Sequence, residues 1–140
     1  MASADLIWGI VRNRSAFLIK RNGVQMTSEP GNLMNVNSFR NSGLANSQTI
    51  GVSVKGNKAE MTLKTKAAVN KPSKATATVA LRKGPVRSIA TIDANTGKSF
   101  YRRDLTATAQ ARYSRINRAA ARAAKGITKK EKGKGRRGRR

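Results

Sequence analysis

The sequence predicts an α+β fold in which a small antiparallel sheet of hairpins with short helices precedes a long basic C-terminal helix and a basic tail. Three observations predict it: an Asn-Gly pair between two strand-like runs, a second pair of such runs downstream, and an Ala/Arg-rich stretch with helical spacing. We expect three segments: a body at residues 1–100, a helix at 101–126 and a tail at 127–140.

The first elements are a short helix and a hairpin. Ser3 is a suitable N-cap, and the apolar residues from Leu6 to Val11 recur on one helix face. Asn22-Gly23 then separates Phe17–Arg21 from Val24–Thr27, and both turn positions of such a hairpin need a positive φ, which Asn and Gly tolerate.

Residues 29–47 are rich in Asn and Ser and predict an irregular loop. We expect Leu33, Phe39 and Leu44 to anchor this loop to the core. Trp8 and Phe17, like Phe39, are expected to pack in the core and not to serve as platforms for base stacking.

A second hairpin is expected from Thr49–Val54 and Ala59–Lys64, with a turn between them. Ala75–Leu81 alternates Ala and Thr and predicts another strand. Pro85, preceded by Gly84, favours the start of a short helix that ends near Gly97.

The C-terminal helix has clearer limits. Asp104 is its expected N-cap and Gly126 its expected stop. One face of this helix should pack on the body, and a different face gathers arginines. The packing face comprises Leu105, Ala109, Tyr113, Ile116, Ala120 and Ala123; the arginines are Arg115, Arg118 and Arg122, with Arg112 between the two faces. The segment after Gly126 has almost no apolar side chains, so on its own it should be disordered.

The charge balance points to a polyanionic partner. Lys and Arg total 30 against six acids, which gives a net charge of +24, and residues 101–140 alone hold 15 basic and two acidic side chains. Such an excess favours binding to nucleic acid. The chain has neither His nor Cys, so it lacks the commonest general base, the commonest metal ligand and any thiolate. We therefore expect no enzyme activity, cofactor, metal site or small-molecule substrate.

Four blocks of sequence resemble one known family. They are residues 11–22 (VRNRSAFLIKRN), 27–33 (TSEPGNL), 37–44 (NSFRNSGL) and 101–105 (YRRDL), the last opening the Ala/Arg-rich helix. The blocks are similar to a eukaryote-specific family of the large ribosomal subunit, number twenty-eight of the eukaryotic series and distinct from the bacterial protein of that number. The likeness is close over residues 11–44 and follows by pattern over 101–125. Residues 53–100 match in length only, and the tail departs from the family.

The resemblance implies an α+β domain on the surface of the large (60S) subunit, packed on ribosomal RNA beside other ribosomal proteins. It also implies a cytoplasmic ribosome as the location, with assembly in the nucleolus. The candidate RNA-binding residues combine this implication with charge and position. They are Arg12, Lys20, Arg21, Arg40, Arg102, Arg103, Arg112, Arg115, Arg118, Arg122, Lys129, Lys130, Arg136 and Arg137.

Other classes of protein remain as alternatives. A nucleolar assembly factor of the large subunit has a related N-terminal domain, but it carries a long acidic extension that these 140 residues lack. A histone-like DNA-binding protein would have a Lys-dominated, Pro-punctuated tail, whereas here Arg dominates the C-terminal end and no Pro follows Pro85. A peripheral membrane protein would need bulky apolar residues on its basic helix, which offers mostly Ala, so no membrane partner is expected.

Overall fold

The computed structural model describes residues 2–56, 58–65, 71 and 74–126, and it has the expected mixture of short helices and antiparallel strands. The helices and strands, in chain order, are α1 (Ala4–Val11), β1 (Leu18–Arg21), β2 (Val24–Thr27), β3 (Ile50–Lys55), β4 (Lys58–Lys64), β5 (Thr76–Leu81), α2 (Pro85–Asp93) and α3 (Thr106–Ala124). The α+β prediction is confirmed for the described residues, and the predicted tail lies outside them.

The first hairpin pairs β1 with β2 as the Asn-Gly signal predicts. Asn22 and Gly23 have φ values of 47° and 75°, so both turn residues are in the left-handed region that this tight turn requires. Ser3 caps α1, because its side chain accepts a hydrogen bond from the Leu6 amide at 3.3 Å.

A separate three-stranded sheet has the order β3-β4-β5 and carries the core on one face. Val52 on β3 lies opposite Met61 on β4, and Met61 in turn lies opposite Val79 on β5. This apolar row packs under α2 and α3 in a core of nine buried residues. They are Leu33, Ile50, Val52, Met61, Leu81, Ile92, Leu105, Ala109 and Tyr113.

Tyr101 fastens the start of the C-terminal region to this sheet. Its hydroxyl donates a hydrogen bond to the Lys64 carbonyl and accepts one from the Thr49 amide at 3.2 Å. One side chain therefore links the residue just before β3 to the last residue of β4. Burial raises the pKa of Tyr101, and the two backbone hydrogen bonds oppose that rise only in part.

Buried polar side chains organise the loop that separates the two sheets. The Asn32 amide group donates to Glu29 at 3.1 Å and to the Val36 carbonyl at 3.0 Å, while its oxygen accepts from the amides of Met34 and Asn35. Leu33 enters the core as predicted, and Leu44 is half-buried. The loop is therefore irregular in backbone but held by specific hydrogen bonds.

The aromatic residues near the N-terminus differ from the prediction of core packing. Phe17 and Phe39 are exposed, and neither belongs to the core cluster. Phe39 instead lies against Trp8, with ring centroids 6.0 Å apart. The reason is that α1 contributes no buried residue, so Trp8 and Phe39 pair with each other outside the core cluster.

Asp104 does not cap α3, which corrects a second prediction. The helix starts at Thr106 after a 3₁₀ turn over Arg103–Leu105, its N-cap position is Leu105, and no side chain caps it. Asp104 lies within that turn, and its carboxylate binds two arginines instead of capping the helix. Its position in the sequence does not reveal these ion pairs. Gly126 has a φ of 67° just after the helix end, which confirms it as the stop.

Candidate nucleic-acid interface

Helix α3 consists of a packed half and a projecting half. Ala109 and Tyr113 are buried and Ile116 is half-buried, but Ala120 and Ala123 are exposed, so the predicted packing face ends at Ile116. Alanine residues can recur at the spacing of a packing face without contacting another helix or strand. The last two turns of α3 are therefore not packed against the sheet.

Three exposed arginines line one side of this projecting half. Arg115, Arg118 and Arg122 fall within an arc of roughly 60° at about 100° per residue, and the outer two are about 10 Å apart along the axis. None of the three forms a hydrogen bond or ion pair with any residue the structure describes. Their guanidinium groups are thus available to an external anion.

Arg112 differs from these neighbours because its guanidinium points into the fold. Its Nε donates to the Val52 carbonyl at 2.9 Å, and its NH1 group donates to the carbonyls of Leu33 and Asn32 and to the Asn35 side chain. Val52 is on β3, an edge strand, so Arg112 ties that edge and the loop to α3. Contact of Arg112 with RNA stays a prediction, and its described contacts are structural.

Arg40 and Arg102 share one carboxylate, that of Asp104. Arg102 donates to Asp104 at 2.9 and 3.0 Å and also to the carbonyls of Gln48 and Arg40, and its side chain is only 15% exposed. Arg40 donates to Oδ2 of Asp104 at 3.2 Å, an oxygen that Arg102 also bonds, but its side chain is 63% exposed. The hydrogen bonds from Arg102, followed by its charge and then by Arg40, lower the pKa of Asp104 against the opposing effect of burial. Of the two arginines, Arg40 keeps more surface for a phosphate.

The remaining predicted cations of the body are exposed. Arg12 follows the last residue of α1. The side-chain amide of Asn37 donates to the Arg12 carbonyl at 2.8 Å and also to Gln25, which is the cross-strand partner of Lys20. This bridge places Arg12 near the face of the first hairpin that carries Lys20. Arg21 and Arg103 are exposed elsewhere, and the predicted sites Lys129, Lys130, Arg136 and Arg137 lie outside the described residues.

Sequence reasoning missed three cations that line a groove beside α3. The groove has a volume of about 500 Å³ and is bordered on one side by Lys58, at the start of β4, and by Arg82 and Lys83, just after β5. Its opposite wall is the face of α3 that includes Tyr113 and Ala120. None of the described residues that line it is acidic. The signal is absent from the sequence because these cations come from distant segments and only the antiparallel pairing of β4 with β5 brings them together.

Two other kinds of feature are not found in the part of the chain that the structure describes. No group of three or more acidic, His or Cys side chains suited to a metal ion occurs among them. Within the same ranges, no helix has the length and apolar content needed to cross a membrane.

Comparison with known proteins agrees with the four sequence blocks. A family model described as the ribosomal L28e protein family matches residues 6–119. The chain belongs to this family. The resemblance indicated by the sequence is therefore confirmed, and so is the prediction that the chain is not an enzyme, because the family is one of ribosomal proteins.

Relatives from distant eukaryotes share the family name "Large ribosomal subunit protein eL28". The one from Dictyostelium discoideum is 36% identical over 137 residues, which cover 93% of this chain and 98% of the relative. The one from Caenorhabditis elegans is 39% identical over 99 residues, or 68% of this chain and 75% of the relative. A third, from Trypanosoma cruzi, is 42% identical over 71 residues, or 50% of this chain and 48% of the relative.

Proposed function

We propose that this chain is a structural constituent of the cytosolic large ribosomal subunit, where it binds ribosomal RNA and neutralises it. Family membership supports the ribosomal role, and the observation that carries the RNA-binding mode is the arginine stripe on α3, which has no ion-pair partner among the described residues. Lysine and arginine would contact phosphates and 2′-hydroxyl groups, which read the shape of RNA without requiring a base sequence.

The arginine stripe suits phosphate for two reasons. Each guanidinium can donate two parallel hydrogen bonds to one phosphate, and three of them on one helix face can follow an RNA backbone. Arg115, Arg118 and Arg122 form the centre of the proposed interface. Arg12, Lys20, Arg21, Arg40 and Arg103 extend it over the body, and Lys129, Lys130, Arg136 and Arg137 extend it along the tail.

Neighbouring ribosomal proteins are proposed as further partners. Several large apolar side chains are exposed on α1 and the first hairpin, among them Leu6, Ile10, Ile19 and Val24. Exposed apolar surface of this kind favours contact with protein. We place the chain on cytoplasmic ribosomes, with assembly in the nucleolus.

Incorporation into ribosomes tests the proposal directly. A tagged chain expressed in eukaryotic cells should sediment with free large subunits, monosomes and polysomes and should remain there after a high-salt wash. The triple variant R115E/R118E/R122E should fall out of these fractions, because reversing three charges lowers the net charge of the proposed RNA face by six units. A matched variant, K74E/R87E/K98E, changes the net charge equally on exposed residues outside that face and should still incorporate.

Each other outcome has a defined meaning. Normal incorporation of the α3 variant would rule out the arginine stripe as the RNA contact. Confinement of the unmodified chain to nuclear pre-ribosomal particles would favour an assembly factor, and confinement to chromatin would favour a histone-like protein.

A further inference from the structure

The groove bordered by Lys58, Arg82 and Lys83 lies on the side of α3 away from the arginine stripe. At about 100° per residue, Tyr113 and Ala120 face the groove, while Arg115 and Arg122 lie roughly 160–180° away from Tyr113. The groove is therefore a separate surface from the one on which the proposed function depends.

The floor of the groove is apolar and its rim is cationic. Val54, Ala59 and Ile116 line it together with Ala120, and the three rim cations are exposed and form no ion pair with any described residue. Its volume of about 500 Å³ falls within the range of sites that enclose a small planar molecule. A ligand suited to it has a flat, poorly hydrated part and at least one negative charge.

Tyr113 provides an observation that is independent of the groove's shape. Its side chain is only 3% exposed, and its hydroxyl forms no hydrogen bond with any residue that the structure describes. The described residues contain no fully buried side-chain nitrogen or oxygen that lacks a hydrogen-bond partner, so the Tyr113 hydroxyl is not an atom of that kind. Tyr113 is also one of the residues that line the groove.

Asn117 lies one helical turn further along the same face of α3 and also lines the groove. Its amide can both donate and accept, and it too makes no hydrogen bond with a described residue. The groove thus presents two polar groups that could bond the edge of a heterocyclic base, above an apolar floor and beside three cations.

We propose that this groove receives a single unstacked nucleotide of RNA. The base lies against the apolar floor with its edge toward Tyr113 and Asn117, and the flanking phosphates bind Lys58, Arg82 and Lys83. Continuous duplex would satisfy the cations but leave the apolar floor exposed, whereas bulges and loops present bases that can be extruded. The proposal rests on the proposed function, because it assigns one feature of the RNA that the chain binds.

Fluorescence anisotropy with two labelled RNA hairpins tests this assignment on the full chain. The hairpins have equal length, and one is fully paired while the other contains a single-nucleotide bulge. We expect the bulged hairpin to bind at least about fivefold tighter, the lower limit for burying one base against protein. Y113F, which keeps the ring, should reduce that preference by about 2- to 10-fold, the value of one neutral hydrogen bond.

A pair of alanine variants provides the matched control. A120L fills the groove and should remove the preference for the bulge while leaving affinity for the paired hairpin unchanged. A121L adds the same side chain at an exposed position that does not line the groove, and it should keep the preference. Both positions are exposed in the helix, so neither variant should unfold the chain, which thermal melting would verify.

The outcomes separate this proposal from the one it rests on. Equal affinity of the unmodified chain for the two hairpins, or equal behaviour of A120L and A121L, would overturn the nucleotide site and leave the arginine stripe unaffected. Failure of the unmodified chain to bind either hairpin would overturn the nucleotide site and also the proposal of RNA binding.

Discussion

Arg112 and Arg115 are one turn apart on α3, yet the structure predicts opposite consequences when each is replaced. Replacing Arg112 by Met keeps an apolar stem of similar reach and removes the guanidinium. The guanidinium donates to the carbonyls of Val52 and Leu33, and a hydrogen bond from a charged group contributes about 1.5–3 kcal/mol. At the lower value for each, R112M should lose about 3 kcal/mol of unfolding free energy.

This loss is large against the total stability of about 5–15 kcal/mol that a domain of this kind has. With an m-value of about 2 kcal/mol per M, it would lower the urea midpoint by about 1.5 M. R112K should lose roughly half as much unfolding free energy, because one ammonium group cannot donate to both β3 and the loop as the planar guanidinium does. R115M removes a side chain with no described partner and should leave the unfolding free energy within about 0.5 kcal/mol of the original.

RNA binding should show the reverse order. The slope of log affinity against log salt falls by about 0.7–0.9 for each phosphate contact that is lost. R115M should lower the slope by that amount, whereas R112M should leave it unchanged under conditions where the variant stays folded. If R112M instead kept its urea midpoint and lowered the salt slope as R115M does, the structural role assigned to Arg112 would be wrong.

Two further predictions concern the residues that join α3 to the sheet. D104N should lower the unfolding free energy by about 1 kcal/mol near neutral pH, a value discounted because the Asp104 side chain is 41% exposed. Since the folded-state pKa of Asp104 is lowered, its contribution is present above the unfolded value of about 3.9 and is lost as the pH falls through the folded value. Urea titrations should therefore show the difference shrinking in acid, and a constant difference would contradict the ion-pair assignment. Y101F should lower the unfolding free energy by about 1–3 kcal/mol, because it leaves a backbone amide and a carbonyl without their partner. Its RNA affinity should be unchanged. A urea midpoint equal to that of the original chain would refute the bridging role of Tyr101.

Local signals accounted for most of the fold. Asn22-Gly23 determines its hairpin through backbone sterics alone, and the start of α2 at Pro85 likewise depends on one residue's own geometry. Such features can be read from sequence because the residues that decide them are adjacent in the chain.

The assignments that failed depend on contacts between distant segments. Asp104 has the right type and position for an N-cap, but its carboxylate binds Arg102 and also Arg40, 64 residues earlier in the chain. Arg102 is in turn held by backbone carbonyls of distant segments. Ala120 fits the packing face by period, but a groove separates it from the ends of β4 and β5. Arg112 and Arg115 are the same residue type on one helix, and only the position of β3 distinguishes them.

The balance of charges explains why the arginine stripe needs a partner outside the chain. With 30 cations and six acids, at most a minority of the basic side chains can find a carboxylate within the protein. Among the described residues, the only ion pairs use a single acid, Asp104, and both of its partners lie at the base of α3. The projecting half of the helix contains no acid, so Arg115, Arg118 and Arg122 repel one another across one face. A phosphate backbone relieves this repulsion and releases its own counterions, so binding should be strongest at low salt. The same excess charge that opposes compaction of the free chain therefore favours its assembly with RNA.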